Sequence, residues 1–78
     1  MPVDTRGLEQ EHVGKRLRLI LAAGEREDVR LLEMTVCDER EPCCGIVYDL
    51  LATNGTRTVG STYWMGFDDI KTFQVLGD

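Results

Sequence analysis

The chain has little histidine, proline or aromatic residue. Among 78 residues there is one histidine, one tryptophan and two prolines, and only 6% of the chain is aromatic. With His12 alone, a His-metal-His arrangement is excluded. Thr5, Ser61, Thr62 and the cysteines have hydroxyls or thiols but no identifiable base and orienting group beside them, so an enzyme is disfavoured. Long apolar runs are missing too. The longest, Leu19 to Ala23, falls far short of the roughly 20 residues that cross a bilayer, and no membrane association is expected. Met1-Pro2-Val3-Asp4 has no basic region leading into an apolar stretch, which makes a cytoplasmic location the default expectation. Positive charge is the minority sign. Nine Lys and Arg against fourteen Asp and Glu give a net charge of −5, which opposes approach to a phosphate backbone and favours a protein partner with a basic surface.

What is present is a β-rich pattern in a chain of single-domain length, near the lower limit at which one apolar core suffices. Residues 5–12 predict a short N-terminal helix, capped by Asp4 or Thr5 and stopped at Gly14. From Arg16 the period becomes two. Leu17, Leu19 and Leu21 share one face and Arg16 and Arg18 the other, as in a half-buried strand. A three-residue loop at Ala23-Gly24-Glu25 would pair Leu19 with Val29 and Leu17 with Leu31. Leu32, Met34 and Val36 then fall on the opposite parity, which requires a bulge near Leu31-Leu32. "CGIVYDLLA" at 44–52 reads as a central strand, Asn54-Gly55 as a hairpin turn, 57–65 as a fourth strand, "GFDDI" as a tight turn and 71–76 as a fifth strand. The expected architecture is mainly β: an N-terminal segment or helix at 1–13, followed over 15–77 by a strongly bent five-stranded antiparallel barrel of SH3-like form.

The residues Gly14-Lys15-Arg16, the leucine alternation, Gly24, and Gly66, Asp68, Asp69 and Ile70 of "MGFDDIKTFQV" resemble the two motifs of Sm-like proteins. Such a resemblance implies a small barrel and, in many members, RNA binding. This chain departs from that pattern in both RNA-contacting loops. The first, Asp38-Glu39-Arg40-Glu41-Pro42, has no stacking aromatic, and the second has Met65 before Gly66 where an arginine is usual. In length, acidity and the segment "LRLILAAGE" the chain is similar to the acidic Sm-like inhibitors of the Rho termination factor. That likeness implies a non-catalytic module that binds a protein, one that itself handles nucleic acid.

The expected partner surface combines the acids Asp38, Glu39, Glu41, Asp68 and Asp69 with an aromatic patch of Trp64, Met65 and Phe67. Tyr63 and Trp64 are adjacent on a strand and cannot both face inward. The alternative function is divergent Sm-like RNA binding, with Lys15, Arg16 and Arg18 on phosphates. A second alternative is a thiol redox or zinc site at Cys37, Cys43 and Cys44, for which zinc would need a fourth ligand from His12. The plainer expectation is no metal and no cofactor. Like charges at the Asp68-Asp69 turn would crowd a ring of subunits, so a monomer or dimer is expected.

Overall fold

The computed structural model describes residues 5–35 and 44–78. Five strands form one antiparallel sheet: β1 (Arg16–Leu21), β2 (Arg26–Thr35), β3 (Gly45–Thr53), β4 (Thr62–Gly66) and β5 (Ile70–Gly77). Their spatial order is β4-β3-β2-β1-β5. Strands β4 and β5 are joined by a 3-10 turn, Phe67–Asp69, and no ladder connects them among the described residues. The leucine alternation is realised as burial: Leu17, Leu19, Val29 and Leu31 are fully inside, packed with Ile46, Tyr48 and Leu50 of β3.

The register of the first hairpin is shifted by two residues from the expected one. Leu17 pairs with Val29, and Leu19 with Glu27. Gly24 has φ +97°, and a left-handed residue belongs at the last position of a three-residue hairpin loop. The loop is therefore Ala22-Ala23-Gly24, closed by Leu21 N–H to Glu25 O at 2.8 Å and Gly24 N–H to Leu21 O at 2.8 Å. A shift of two preserves side-chain parity, so the same leucines stay inside. The expected bulge is present. Pairing steps from Leu31↔Tyr48 to Glu33↔Val47 and leaves Leu32 unpaired and exposed. A second irregularity lies between Asp28 and Val29.

Two expectations fail. The N-terminal segment is not an α-helix; only Gln10–His12 form a 3-10 turn. Arg6 and Gly7 have positive φ and Glu9 is extended at φ −136°, conformations that an α-helix excludes. The segment is anchored instead from below by buried Leu8, and Arg6 Nε–H reaches Ile70 O at 2.9 Å and Phe67 O at 3.3 Å. Nor does Asn54-Gly55 turn a tight hairpin. Asn54 bonds back to β2, its N–H to Arg26 O at 3.2 Å and its Oδ1 accepting Arg26 N–H at 2.9 Å. The chain then runs an excursion over 54–61 before β4, which begins at Thr62 rather than at residue 57.

Candidate functional site

Strand β4 lies at an edge of the sheet, paired to β3 through Tyr48↔Tyr63, Val47↔Trp64, Ile46↔Met65 and Gly45↔Gly66. Alternation sends Tyr63 and Met65 inward and Thr62, Trp64 and Gly66 outward. Trp64 is accordingly 52% exposed. Its indole lies across two glycines: a Cβ on Gly45 would stand 2.8 Å from Trp64 Cζ2, and one on Gly66 3.4 Å from Cη2. Strand backbone without side chains gives the ring a flat seat, with half-buried Val47 directly opposite. The same outer face holds Glu33, paired with Val47, and Asp49, whose Oδ1 accepts Thr62 Oγ1–H at 2.5 Å.

The structure corrects the expected aromatic patch. Met65 is 1% and Phe67 2% exposed, both in the core. Met65 shares parity with Tyr63, and Phe67 plugs the sheet where the 3-10 turn begins, so neither can touch a partner. Trp64 remains, with Asp68 and Asp69 exposed on the turn that follows β4. Asp68 stands 3.7 Å from Arg6 Nη2. Asp38, Glu39 and Glu41 lie outside the described residues, in the stretch joining Thr35 of β2 to β3. Cys37 and Cys43 lie there as well. Cys44 is half-buried against the core, and among the described residues no cluster of His, Cys, Asp and Glu is placed to hold a metal.

Two of the three candidate phosphate contacts, Arg16 and Arg18, share a face with two further arginines. Arg16 and Arg18 point outward from β1, and Arg26 and Arg30 from the neighbouring strand, with Arg16 directly opposite Arg30. Arg16, Arg18 and Arg30 each also bond within the protein. Arg18 grips Asp28 with two bonds, at 2.8 and 3.2 Å, and this bond holds the Asp28 carboxyl below its ordinary range while raising Arg18. Arg16 Nε–H donates to Asp78 O at 3.2 Å, and Arg30 Nη1–H to Gly14 O at 2.7 Å. Lys15, half-exposed, immediately precedes β1.

No known family, curated protein or solved structure matches the chain. No described helix is long and apolar enough to cross a membrane.

A polar cluster that the sequence reading missed closes the opposite end of β3 and β4. Glu27 is 1% exposed, its carboxylate accepting Tyr48 Oη–H at 3.3 Å and Thr53 Oγ1–H at 3.2 Å. Arg57, from the 54–61 excursion, stands 3.7 Å from Glu27 Oε1, bonds the Tyr48 hydroxyl and lies 5.5 Å above the Tyr63 ring. Tyr63 in turn accepts Thr58 N–H at 2.9 Å. Burial, and then the Glu27 charge, push the Tyr48 hydroxyl up to about 12. The signal for Glu27 was available: it shares parity with Val29 and Leu31 on β2, so alternation places it inside. Every buried side-chain polar atom described has a partner. The cluster is a satisfied clasp for the 54–61 loop, on the opposite side of the sheet from Trp64.

Proposed function

We propose that this chain is a non-catalytic protein-interaction module, an Sm-like small barrel that presents Trp64 and an acidic surround to a partner with a basic surface. The observation that carries the reading is the half-exposed indole seated on Gly45 and Gly66, because large rigid aromatics in the middle of a surface are the side chains that most often dominate protein recognition. Glu33, Asp49, Asp68 and Asp69 lie on the same face or at the strand's exit, and the net charge of −5 steers a basic partner toward them. The resemblance to acidic Rho inhibitors implies a partner that handles nucleic acid. The module acts as a monomer or dimer, which light scattering at near-physiological salt tests; a mass of six or seven subunits overturns it.

The test of function is capture of the native partner by the wild-type chain, by Trp64→Ala and by Val75→Ala, whose exposed apolar residue lies on β5. Loss with Trp64→Ala alone is expected; equal capture by all three refutes the reading. A second reading, RNA binding, is favoured by the common outer face of Arg16, Arg18, Arg26 and Arg30. A gel shift with short RNAs that weakens steeply with salt would establish it, and no shift at low salt would dismiss it.

A further inference from the structure

We infer that the open edge of β4 is a strand-addition site for an extended, lysine- or arginine-bearing segment of a partner protein. The inference rests on the interaction reading above and specifies how the partner is held. Leu50 N–H donates to Ser61 O at 3.0 Å and Leu50 O accepts Gly60 N–H at 2.8 Å, so Gly60, at φ +92°, and Ser61 together stand opposite Leu50 as a bulge that takes the place of a bonded pair just before β4. In an antiparallel ladder bonded and non-bonded pairs alternate. Tyr48/Tyr63 and Ile46/Met65 are therefore the next bonded pairs, and the N–H and C=O groups of Thr62, Trp64 and Gly66 point away from β3. Among the described residues no strand lies on that side.

An edge of this kind is normally blunted by lysine, proline or an irregular ladder. The opposite edge, β5, carries Lys71 and pairs with β1 through two register shifts. Strand β4 reads Thr-Tyr-Trp-Met-Gly, with no charge and no proline, and its pairing to β3 is unbroken from Thr62 to Gly66. An unblunted edge accepts a strand, and its side chains select which one. A residue of the added strand opposite Trp64 would project beside the indole on the outer face, where a cation gains from the ring and from Glu33 and Asp49. The next outward position lies toward Asp68 and Asp69. Alternate residues would face inward beside Tyr63 and Met65, which favours apolar side chains there. The occupant is thus an extended segment of alternating basic and apolar residues.

The probe is a capped peptide alternating lysine and valine, added to the full chain. Trp64 is the only tryptophan, so its emission reports binding without a label, and amide exchange reports the edge. Strand addition predicts that saturating peptide slows exchange at the outward-pointing Thr62 and Trp64 amides by roughly tenfold or more, with little change at Tyr63 and Met65, which already bond to β3. Binding is expected to weaken with salt, to vanish when alternate peptide nitrogens are methylated, and to vanish when glutamate replaces lysine. Any of four results overturns the inference: no binding, equal binding by the N-methylated peptide, bound peptide without protection of Thr62 and Trp64, or protection of those amides by raising the protein concentration alone, which would assign the edge to a second copy. The two failures are separable. If Trp64→Ala still abolishes partner capture while the amides stay unprotected, the strand geometry is wrong and the interaction reading stands; if capture ignores Trp64, the interaction reading itself falls.

Discussion

The inner and outer sides of the β3–β4 pair invert the usual distribution of polar and apolar groups. Inside, where water is excluded, sits the carboxylate of Glu27, answered by Tyr48, Thr53 and Arg57. Outside, where water is plentiful, lies the indole of Trp64 with only Val47 and two glycines beneath it. Each arrangement is costly unless something is gained. A buried carboxylate must find a complete set of partners, and finding them fastens the 54–61 excursion to the sheet. An exposed indole gains only when something covers it. The inner side thus explains its own composition, while on the proposed reading the outer side is completed by a partner.

The largest effect expected from breaking this contrast is on the inner side. Arg57→Met leaves Glu27 buried without its cation, and we expect a loss of about 2–4 kcal/mol, at or below the range for breaking a fully buried pair because Arg57 keeps contact with water. Denaturant melts measure it. A deficit within about 0.5 kcal/mol of zero, as for an ordinary surface substitution, would mean that Arg57 does not hold the clasp.

Gly45→Ala attacks the outer side from beneath. The new Cβ would lie 2.3 Å from Met65 O as well as under the indole, so strand and ring must both move, at about 1–3 kcal/mol. The tryptophan emission should shift to the red as the ring lifts into water; an unchanged spectrum would refute the flat seat. Trp64→Ala itself should cost less, under about 1 kcal/mol for a cross-strand pair open to water, while removing partner capture. A stability loss comparable to that of Arg57→Met would mark Trp64 as a structural residue. The smallest effect is far from both sides. Arg18 holds the Asp28 carboxyl low, so its contribution is present above the ordinary aspartate range and is lost as pH falls through the depressed value. Asp28→Asn should lower stability slightly in the neutral region, by under about 1 kcal/mol for a pair open to water, and converge with the wild type at acid pH, which flattens the acid limb of the profile.

Strand periodicity was legible because it needs only parity: Leu17, Leu19, Val29 and Leu31 fall inside whichever of two registers the hairpin adopts. Register was less so, since it depended on which loop position Gly24 takes. The bulge at Leu32 was readable from the change of parity in β2. The N-terminal segment misled because its acidic and polar residues suit a helix, whereas its conformation is set by contacts with Phe67 and Ile70. At the candidate site, alternation separated Trp64 from Tyr63, but the extension of the exposed patch to Met65 and Phe67 neglected that Met65 shares the inward parity. Parity marks Glu27 as inward, but its partners, Tyr48, Thr53 and Arg57, are all remote along the chain and no local pattern announces them.

The anchoring of Arg6 has a consequence for how the molecule assembles. Its two acceptors, on Phe67 and Ile70, are 61 and 64 positions away in sequence, and β1 pairs with β5 across a similar span. Contacts of such separation carry the largest closure entropy and tend to slow folding. During synthesis the first three strands can pair through sequential neighbours, but Leu8 and Arg6 must wait for a turn and a strand that leave the ribosome later. Until then the underside of the sheet stays wet, and the apolar surface awaiting Leu8 and Phe67 is exposed to other chains. Fast local pairing and a late, long-range closure should give refolding kinetics governed by the final step, with substitutions at Arg6 affecting mainly the rate at which the closed form opens.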